Sequence, residues 1–343
     1  MNKILSAELM RFVAIVAVVG IHTTPFRLES SDGSIYYKIL DLTFNQIGRF
    51  AVPMFFLLSG YFFYRKTQDR GQMDNKVLQS VKKLIKIYII WSFVYLLPYE
   101  WYKFNYINLN EYISSVQVKI FELLSDPITL VFQGTKEHLW FIVALLFSFI
   151  ISYLFIRYDK KRELIVVSIL LYIFGVISKA YSATPIGIDV DFNTRNGPFF
   201  STIFFVTGYV LAHKKRKPSW FHLGLIIFSL GTVFHFIEII GLWKIYDISM
   251  RQDFVFSTYF MGLGSGLIAL SNHKLLSYKF NIYLGSKVLG IYLVHYIVVE
   301  IFKPIDKIVN VALWEVFYIV MVICLSMVIV NILNKNSITR NVF

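Results

Sequence analysis

The chain is poor in cysteine and in charged residues, and each shortage narrows what it can be. Its 343 residues include one cysteine, Cys324, which excludes an internal disulfide and a cysteine cluster for a metal ion. Charged residues make up only 16% of the chain, whereas soluble domains contain about a quarter. Hydrophobic residues reach 57%, and a soluble fold this apolar would expose large apolar patches. The composition therefore predicts an integral membrane protein.

The excess of positive charge does not indicate a nucleic-acid partner. The formal net charge is +13, and basic loops on the cytoplasmic side of a membrane protein produce such a value by themselves. The sequence shows no RNP, zinc or helix-turn-helix signature. The first apolar stretch also lacks the small-residue cleavage site of a signal peptide. We expect membrane lipid, and no nucleic acid, among its partners.

Apolar stretches of membrane-spanning length predict an all-α integral membrane protein with about ten transmembrane helices. The predicted spans are 4–25, 43–64, 81–101, 138–156, 163–181, 197–213, 220–241, 253–271, 282–300 and 312–333. An amphipathic stretch at 108–124 lies between the third and fourth spans and is expected to lie along the membrane interface. We expect one transmembrane domain over 1–343.

Loop charge predicts the orientation of these helices. The loops 65–83, 157–162, 213–219 and 272–281 hold 16 Lys or Arg in 42 residues, whereas the alternate loops hold 10 in 90. The positive-inside rule then places the basic loops and both termini in the cytoplasm. The chain is thus expected to be a multi-pass protein of the cytoplasmic (inner) membrane.

The first span contains three ionisable residues that give the strongest indication of function, namely Glu8, Arg11 and His22. Arg11 and His22 are eleven residues apart, which is three helical turns, so they share one helix face. An Arg in hydrocarbon costs at least about 2.5–3.5 kcal/mol on lenient insertion scales. Glu8 lies three residues before Arg11 and is expected to pair with it. The pattern indicates a helix that lines a protected polar path.

A second group of polar residues is expected at the depth of His22, near the outer face. The predicted topology brings Arg49, His138 and Arg195 to this level, with Asn196 next in the chain. Each has a plainer alternative. His22 is also compatible with an ordinary interfacial residue. Arg49 is compatible with an anchor whose side chain extends outward to the interface. His138, which lies beside Trp140 in the sequence, is compatible with a member of the aromatic belt. The shared depth favours the functional interpretation.

The inner face carries a basic run that is suited to phosphate groups. Its cations include Arg65, Lys82, Lys83 and Lys86, and the last three have helical spacing. The alternative is a topology signal that contacts anionic lipid. Five further ionisable residues in the outer halves of later spans are expected to form structural pairs rather than to act in catalysis. They are His235, Glu238, His295, Glu300 and Glu315.

Several of these stretches resemble the membrane acyltransferase 3 family, in the branch of O-acetyltransferases and serine-racemase membrane domains. The first-helix stretch AELMRFVAIVAVVGIH shows the family's acid, Arg, ten residues and His. The other similar stretches are RFAVPMFFLLSGYFF, KKLIKIYIIWS, HLWFIVALL, RNGPFFSTIFFVTGY and LGSKVLGIYLVH. Together they span nearly the whole chain.

The resemblance implies transfer of an acyl group from cytoplasmic acyl-CoA, with acetyl-CoA as the default, to a hydroxyl of an extracytoplasmic or lipid-linked surface glycan. It implies catalytic roles for His22, Arg11 and Glu8, and donor binding by Arg65, Lys82, Lys83 and Lys86. Residues expected to bind the acceptor are Arg49, His138, Trp140, Arg195 and Asn196. No metal is implied. The family's basic run is often Arg-rich, and lysine meets phosphate without bidentate geometry.

Two other functions and the assembly state stay open at this point. A transporter or flippase suits ten helices with intramembrane charge equally well. A ligand-sensing membrane module without catalysis is a third class. The sequence leaves a homo-oligomer open, and the chain is expected to work alone or with a separate partner.

Overall fold

The computed structural model describes residues 3–26, 35–97, 99, 109–309 and 312–335, and this part of the chain is helical with no strand. Its α-helices are α1 Leu5–Thr23, α2 Ile35–Ile47, α3 Ala51–Lys66, α4 Arg70–Val94, α5 Leu109–Ser125, α6 Pro127–Gln133, α7 Trp140–Arg157, α8 Lys161–Ile177, α9 Pro198–Leu211, α10 Trp220–Tyr246, α11 Thr258–Leu270, α12 Asn281–Ile308 and α13 Ala312–Lys335. Short 3-10 helices lie at Gly48–Phe50, Glu137–Leu139 and Lys274–Leu276. The predicted all-α class is confirmed.

Each predicted span contains a helix, and in the described ranges six helical stretches are long and apolar enough to cross a membrane. The six are Leu5–Thr23, Ile35–Lys66, Glu137–Arg157, Trp220–Tyr246, Asn281–Ile305 and Trp314–Lys335. Two shorter apolar helices are α9 and α11. The chain is thus a multi-pass membrane protein, whereas the number of ten spans and the cytoplasmic termini stay predictions.

The second span and the loop after the third span differ in detail from the expectation. Helix begins at Ile35 instead of 43, and a 3-10 turn at Gly48–Phe50 interrupts it before α3. Pro53 explains the interruption, because its ring lacks an N–H and clashes with the carbonyl four residues earlier. The predicted amphipathic stretch forms α5, whose first predicted residue lies outside the described ranges. Next to it, Asp126 caps α6 by accepting a hydrogen bond from the Thr129 N–H.

The chain divides into two compact units. The first unit comprises Met1–Ala14, Arg49–Ile85 and Trp140–Gly285, and the second comprises Ile15–Gly48, Lys86–Leu139 and Ser286–Phe343. Three helices, α1, α4 and α12, begin in the first unit and end in the second. The predicted single domain over 1–343 stays a prediction.

Close backbone contacts at glycine organise the first unit. A Cβ added to Gly60 of α3 would overlap the carbonyl oxygen of Phe205 in α9, and one added to Gly208 of α9 would overlap that of Leu57. Small residues let membrane helices approach in this way, which gains van der Waals contact where no hydrophobic driving force exists between helices. Phe56, Phe63 and Phe204 fill the space beside this crossing and are fully buried.

In the second unit α12 packs on α13 and α1 packs on α2. Gly290 of α12 lies against Val330 of α13, and Gly20 of α1 lies against Phe44 of α2. The Tyr318 hydroxyl of α13 donates a 2.9 Å hydrogen bond to the Val299 carbonyl of α12. The α12 contact fixes the helix that carries His295.

The close contact between α3 and α9 predicts that two glycine-to-alanine substitutions have opposite effects on stability. Gly60→Ala should destabilise the protein, because the new methyl group has no room against the Phe205 carbonyl. Gly241→Ala on α10 is the control, since no atom lies within 4 Å of its added Cβ, and alanine favours helix over glycine by about 1 kcal/mol. Thermal unfolding in detergent, followed by size-exclusion recovery, measures both. Equal recovery of the two variants would contradict the close-packing argument.

Candidate functional site

Three histidines meet in the second unit, each positioned by a different element. His22 lies in the last turn of α1, His138 in the 3-10 turn Glu137–Leu139, and His295 on α12. The chain leaves α1 through a turn in which Thr24 and Phe26 have φ of 48° and 67°. Non-glycine residues in this left-handed region cost about 1–3 kcal/mol and occur preferentially at functional sites.

The rings of this histidine cluster (His22, His138 and His295) lie within contact distance. The His295 ring centre is 5.3 Å from that of His22 and 5.4 Å from that of His138. Tyr296 links the remaining pair, because its ring lies 5.0 Å from His22 and stacks at 5.0 Å on His138. His138 and His295 are buried, and His22 is half-buried. The structure thus brings together two predicted site residues, His22 and His138, with one that was expected to be structural.

Charged and hydroxyl groups beside the histidine cluster are mutually satisfied. Lys136 forms an ion pair with Glu300, and its ammonium lies 4.9 Å from the centre of the Tyr296 ring. The Tyr296 hydroxyl donates to Glu137. The Tyr292 hydroxyl donates to the His138 carbonyl, which anchors the 3-10 turn on α12. The structural pairing expected for Glu300 is observed.

An apolar cavity of about 570 Å³ lies in the same unit, between α4, α5 and α6. Its lining includes Phe93, Leu96, Ile120 and Leu124, and Thr135 contributes a polar edge. The Thr135 hydroxyl donates a 2.7 Å hydrogen bond to the Ser92 carbonyl. Thr135 precedes His138 by three residues, so one short segment contributes to both the cavity and the histidine cluster.

In the first unit, Arg11 pairs with Glu8 as predicted. The Arg11 guanidinium nitrogen lies 3.1 Å from the Glu8 carboxylate, one helical turn earlier. Gly285 of α12 leaves room for this carboxylate, since an added Cβ there would overlap a Glu8 oxygen. The pair neutralises the charge of Arg11 within its own helix.

Two predicted acceptor-binding residues, Arg49 and Arg195, meet at an aspartate that sequence reasoning missed. Asp253 is 2.8 Å from Arg49, 3.3 Å from Arg195 and 3.2 Å from Lys179. We call Arg49, Lys179, Arg195 and Asp253 the cation cluster. The Arg195 guanidinium also lies 4.9 Å from the Trp140 ring centre and 3.4 Å from the Asn196 side-chain oxygen.

The residues predicted to lie near the outer face are divided between the two units, and their position near that face stays a prediction. His22 and His138 belong to one unit, whereas Arg49, Trp140, Arg195 and Asn196 belong to the other. That all of them converge on one substrate stays a prediction. The signal for Asp253 was its position as the first residue of a predicted span, where an acid is costly without a cation. Lys179 had the matching position near the end of another.

The predicted donor residues lie along α3 and α4. Lys82, Lys83 and Lys86 are exposed on α4, and the Arg65 guanidinium lies 5.6 Å from the Tyr61 ring centre. The first turn of α4 also borders a cavity of about 270 Å³ within the first unit. This basic cavity is lined by Tyr64, Thr67, Gln68, Arg70, Met73, Ile156, Arg157, Lys161, Tyr209 and His213.

Ion pairs hold two arginines that line the basic cavity. Arg70 pairs with Asp159, and Arg157 lies 3.2 Å from Asp74. The hydrogen bond from Arg70 lowers the pKa of Asp159, so this carboxylate is charged at neutral pH. In the residues that the structure describes, no group of histidines, cysteines and carboxylates is arranged to hold a metal ion.

Comparison with known proteins yields one family and a small set of relatives. The family described as "Acyltransferase domain" matches residues 4–331. Two proteins of Enterococcus faecalis named amino-acid racemase are 26% and 28% identical over 63% and 66% of this chain. A serine/alanine racemase of Enterococcus gallinarum is 27% identical over 68% of the chain. No solved structure matches significantly.

The relatives are much longer than the matched region. The alignments span 29%, 32% and 31% of the lengths of these three proteins. The family match, in contrast, covers nearly every helix described above, including those that carry the histidine cluster and the cation cluster. The chain belongs to the acyltransferase 3 family of membrane acyltransferases.

Proposed function

We propose that this protein is an O-acyltransferase of the cytoplasmic membrane that moves an acyl group, by default acetyl, from cytoplasmic acyl-CoA to a hydroxyl of a surface glycan or lipid-linked sugar. The observation that carries the proposal is the histidine cluster. In a family of acyltransferases, the first-helix histidine is half-buried and lies against a second imidazole at 5.3 Å. Acyl transfer to a hydroxyl needs a group of this kind, which is basic yet neutral near pH 7.

His22 is proposed to act directly on the reacting groups. In one form it serves as general base, taking the hydroxyl proton while the hydroxyl oxygen attacks the thioester carbonyl and the C–S bond breaks. In the other it attacks the thioester itself and carries the acyl group transiently. His138 is placed to orient the acceptor, because its ring belongs to the same cluster.

Donor binding is assigned to the basic surface of α3 and α4. Lys82, Lys83 and Lys86 are exposed, so their ammonium groups are available to the phosphates of CoA. The basic cavity next to the start of α4 adds aromatic rings, because the ring centres of Tyr64 and His213 lie 4.2 Å apart in its lining. Rings beside fixed cations suit a nucleotide that carries both a base and phosphates.

The apolar cavity of about 570 Å³ supports a lipid-linked acceptor. Its volume lies in the range of ligand sites, roughly 300–1,000 Å³. Helix α5 beside it is amphipathic and exposes Phe121 and Leu124, as expected of a helix at a membrane interface. A hydrocarbon chain in this cavity would hold the attached sugar close to the segment that carries His138.

The cation cluster favours a second candidate, which is recognition of an anionic solute such as an amino acid without catalysis. Three cations meet one carboxylate, so the four groups carry a net charge of about +2 that suits a carboxylate ligand. The relatives named racemases act on amino acids by those names. Acyl-CoA turnover separates the candidates, because a transporter or sensor would leave acyl-CoA unchanged.

Substitution of His22 tests the proposed function. His22→Ala should abolish acyl transfer, since no other first-helix side chain supplies an imidazole. The measurement is CoA release from acetyl-CoA by the purified protein in nanodiscs, together with mass spectrometry of host surface glycans. The control is His222→Ala, because His222 is an exposed histidine at the start of α10. Full glycan acylation by His22→Ala would remove this residue from the mechanism.

Neutralising the lysines of α4 tests the donor site. A triple variant of Lys82, Lys83 and Lys86 to alanine should raise KM for acetyl-CoA with little change in kcat, because phosphate contacts bind the donor and the transition state equally. The wild-type KM should rise with salt, and the variant should lose most of that dependence. A matched triple alanine variant at Lys214, Lys215 and Lys217 removes the same charge from another basic loop. Equal KM shifts in both variants would mean that general surface charge is responsible.

A further inference from the structure

The backbone of α12 fixes the protonation pattern of His295. Its Nδ1 lies 3.1 Å from the Ile291 carbonyl oxygen and 2.7 Å from the Tyr292 carbonyl oxygen. Carbonyl oxygens only accept hydrogen bonds, so Nδ1 must carry the proton that it donates to them. In the neutral ring the other nitrogen, Nε2, then carries a lone pair. His295 is held as a base with its acceptor nitrogen on the side of the ring away from these carbonyls.

That acceptor nitrogen is buried without a hydrogen-bond donor, and His138 shares the condition. Within the described residues, His295 Nε2 and both ring nitrogens of His138 have no hydrogen-bond partner. His295 is 0% exposed and His138 is 2% exposed. A buried polar group without a partner costs about 1–3 kcal/mol, and each such group in a native structure calls for an explanation.

Several other polar groups near the histidine cluster do have hydrogen-bond or ionic partners. The Tyr95 hydroxyl donates a 2.7 Å hydrogen bond to the Leu293 carbonyl, and the Tyr292 hydroxyl donates to the His138 carbonyl. Lys136 and Glu300 pair with one another. These groups have partners, whereas His295 Nε2 and the ring nitrogens of His138 do not, a condition that they share with the hydroxyl oxygens of Ser92 and Ser326 among the described residues of the second unit.

The unmatched groups are complementary to an alcohol. A neutral His138 presents one N–H donor and one acceptor, and His295 presents one acceptor. A hydroxyl group offers one O–H donor and an oxygen that accepts. The ring centres of His138 and His295 are 5.4 Å apart, so the two imidazoles are direct neighbours, as one shared hydroxyl ligand requires.

We propose that His138 and His295 form the subsite for the acceptor hydroxyl, and that His295 is a second catalytic histidine whose Nε2 takes the hydroxyl proton. The inference rests on the proposed function and deepens it by assigning the general base. His138 orients the hydroxyl by donating to its oxygen. His22, with its ring 5.3 Å from that of His295, is then the residue that carries the acyl group.

The reaction balances in two steps. His22 attacks the thioester carbonyl carbon, the C–S bond breaks, and CoA leaves as the thiolate. The acceptor oxygen then attacks the same carbon, its proton passes to His295 Nε2, and the bond from the acyl carbon to His22 breaks. The proton on His295 is finally delivered to the CoA thiolate. The products are the ester and free CoA, and both histidines return to the neutral state.

The substitution His295→Asn distinguishes a catalytic role of His295 from a purely structural one. In His295→Asn, the amide nitrogen takes the place of Nδ1 and continues to donate to the carbonyls of Ile291 and Tyr292. The variant loses only the Nε2 acceptor. If His295 merely braces α12, His295→Asn should transfer acyl groups at the wild-type rate.

The experiment uses purified protein in nanodiscs with acetyl-CoA and two alternative acceptors, extracted host glycan and hydroxylamine. A glycan hydroxyl needs a base, whereas hydroxylamine is a reactive neutral nucleophile at pH 7. His295→Asn should lose about 10²–10⁴-fold in transfer to glycan, the usual contribution of a general base, and keep most of its transfer to hydroxylamine. His22→Ala should lose both. Enzyme-free rates with hydroxylamine are subtracted.

His235→Asn is the matched control, because His235 is a buried histidine whose Nδ1 also contacts a local oxygen, that of Thr258. It should transfer to both acceptors at wild-type rates. Size-exclusion recovery and thermal unfolding identify the folded variants. Should His295→Asn fold poorly, His295→Gln provides a second side chain that has no basic nitrogen.

Two results would overturn the inference. One is wild-type transfer to glycan by either folded His295 variant. The other is equal loss with both acceptors, since a base for the hydroxyl is not required by hydroxylamine. Failure of the proposed function looks different, because the wild-type protein itself would then consume acetyl-CoA with neither acceptor.

Discussion

The structure of this protein depends on giving each polar group that is buried away from water a hydrogen-bond or ionic partner. In an apolar surround, each buried donor, acceptor or charge must find a partner within the chain or carry a cost. Most of the intramembrane charges of the described residues obey the rule: Glu8 neutralises Arg11, Glu300 pairs with Lys136, and Asp253 meets three cations. Against that background the ring nitrogens of His138 and His295 are conspicuous. The same constraint that stabilises the fold therefore also draws attention to the site that we propose for the acceptor hydroxyl.

The helical architecture was largely predictable from the sequence, because apolar length is a strong and local signal. All ten predicted spans contain a helix, and α10 begins at Trp220 as expected. The interruption at Gly48–Phe50 was less predictable, since Pro53 lies inside an apolar run that reads as continuous. The division into two units was also not predicted, because α1, α4 and α12 each contribute to both units and no linker marks the boundary.

The candidate site was predictable to the extent that a charge in hydrocarbon demands an explanation. That reasoning selected His22, Arg49, His138 and Arg195, and it anticipated the pairing of Glu8 with Arg11. It assigned His295 a structural role because, on a single helix, nothing distinguishes an imidazole that bonds to its own backbone from one that is also a base. The contact of three rings from three separate elements is what the proposal of a catalytic role for His295 rests on.

Helices α9 and α11 have a further consequence for the surrounding lipid. With 14 and 13 residues they extend only about 20 Å at 1.5 Å per residue, less than the roughly 30 Å of a bilayer's hydrocarbon core. The non-helical residues before α11 compensate from within the protein, because Phe254 and Val255 are fully buried. Most residues of both helices are also buried, so neighbouring helices of the first unit shield them from lipid. Two short apolar helices can thereby lie inside a membrane protein without imposing their own length on the surrounding bilayer.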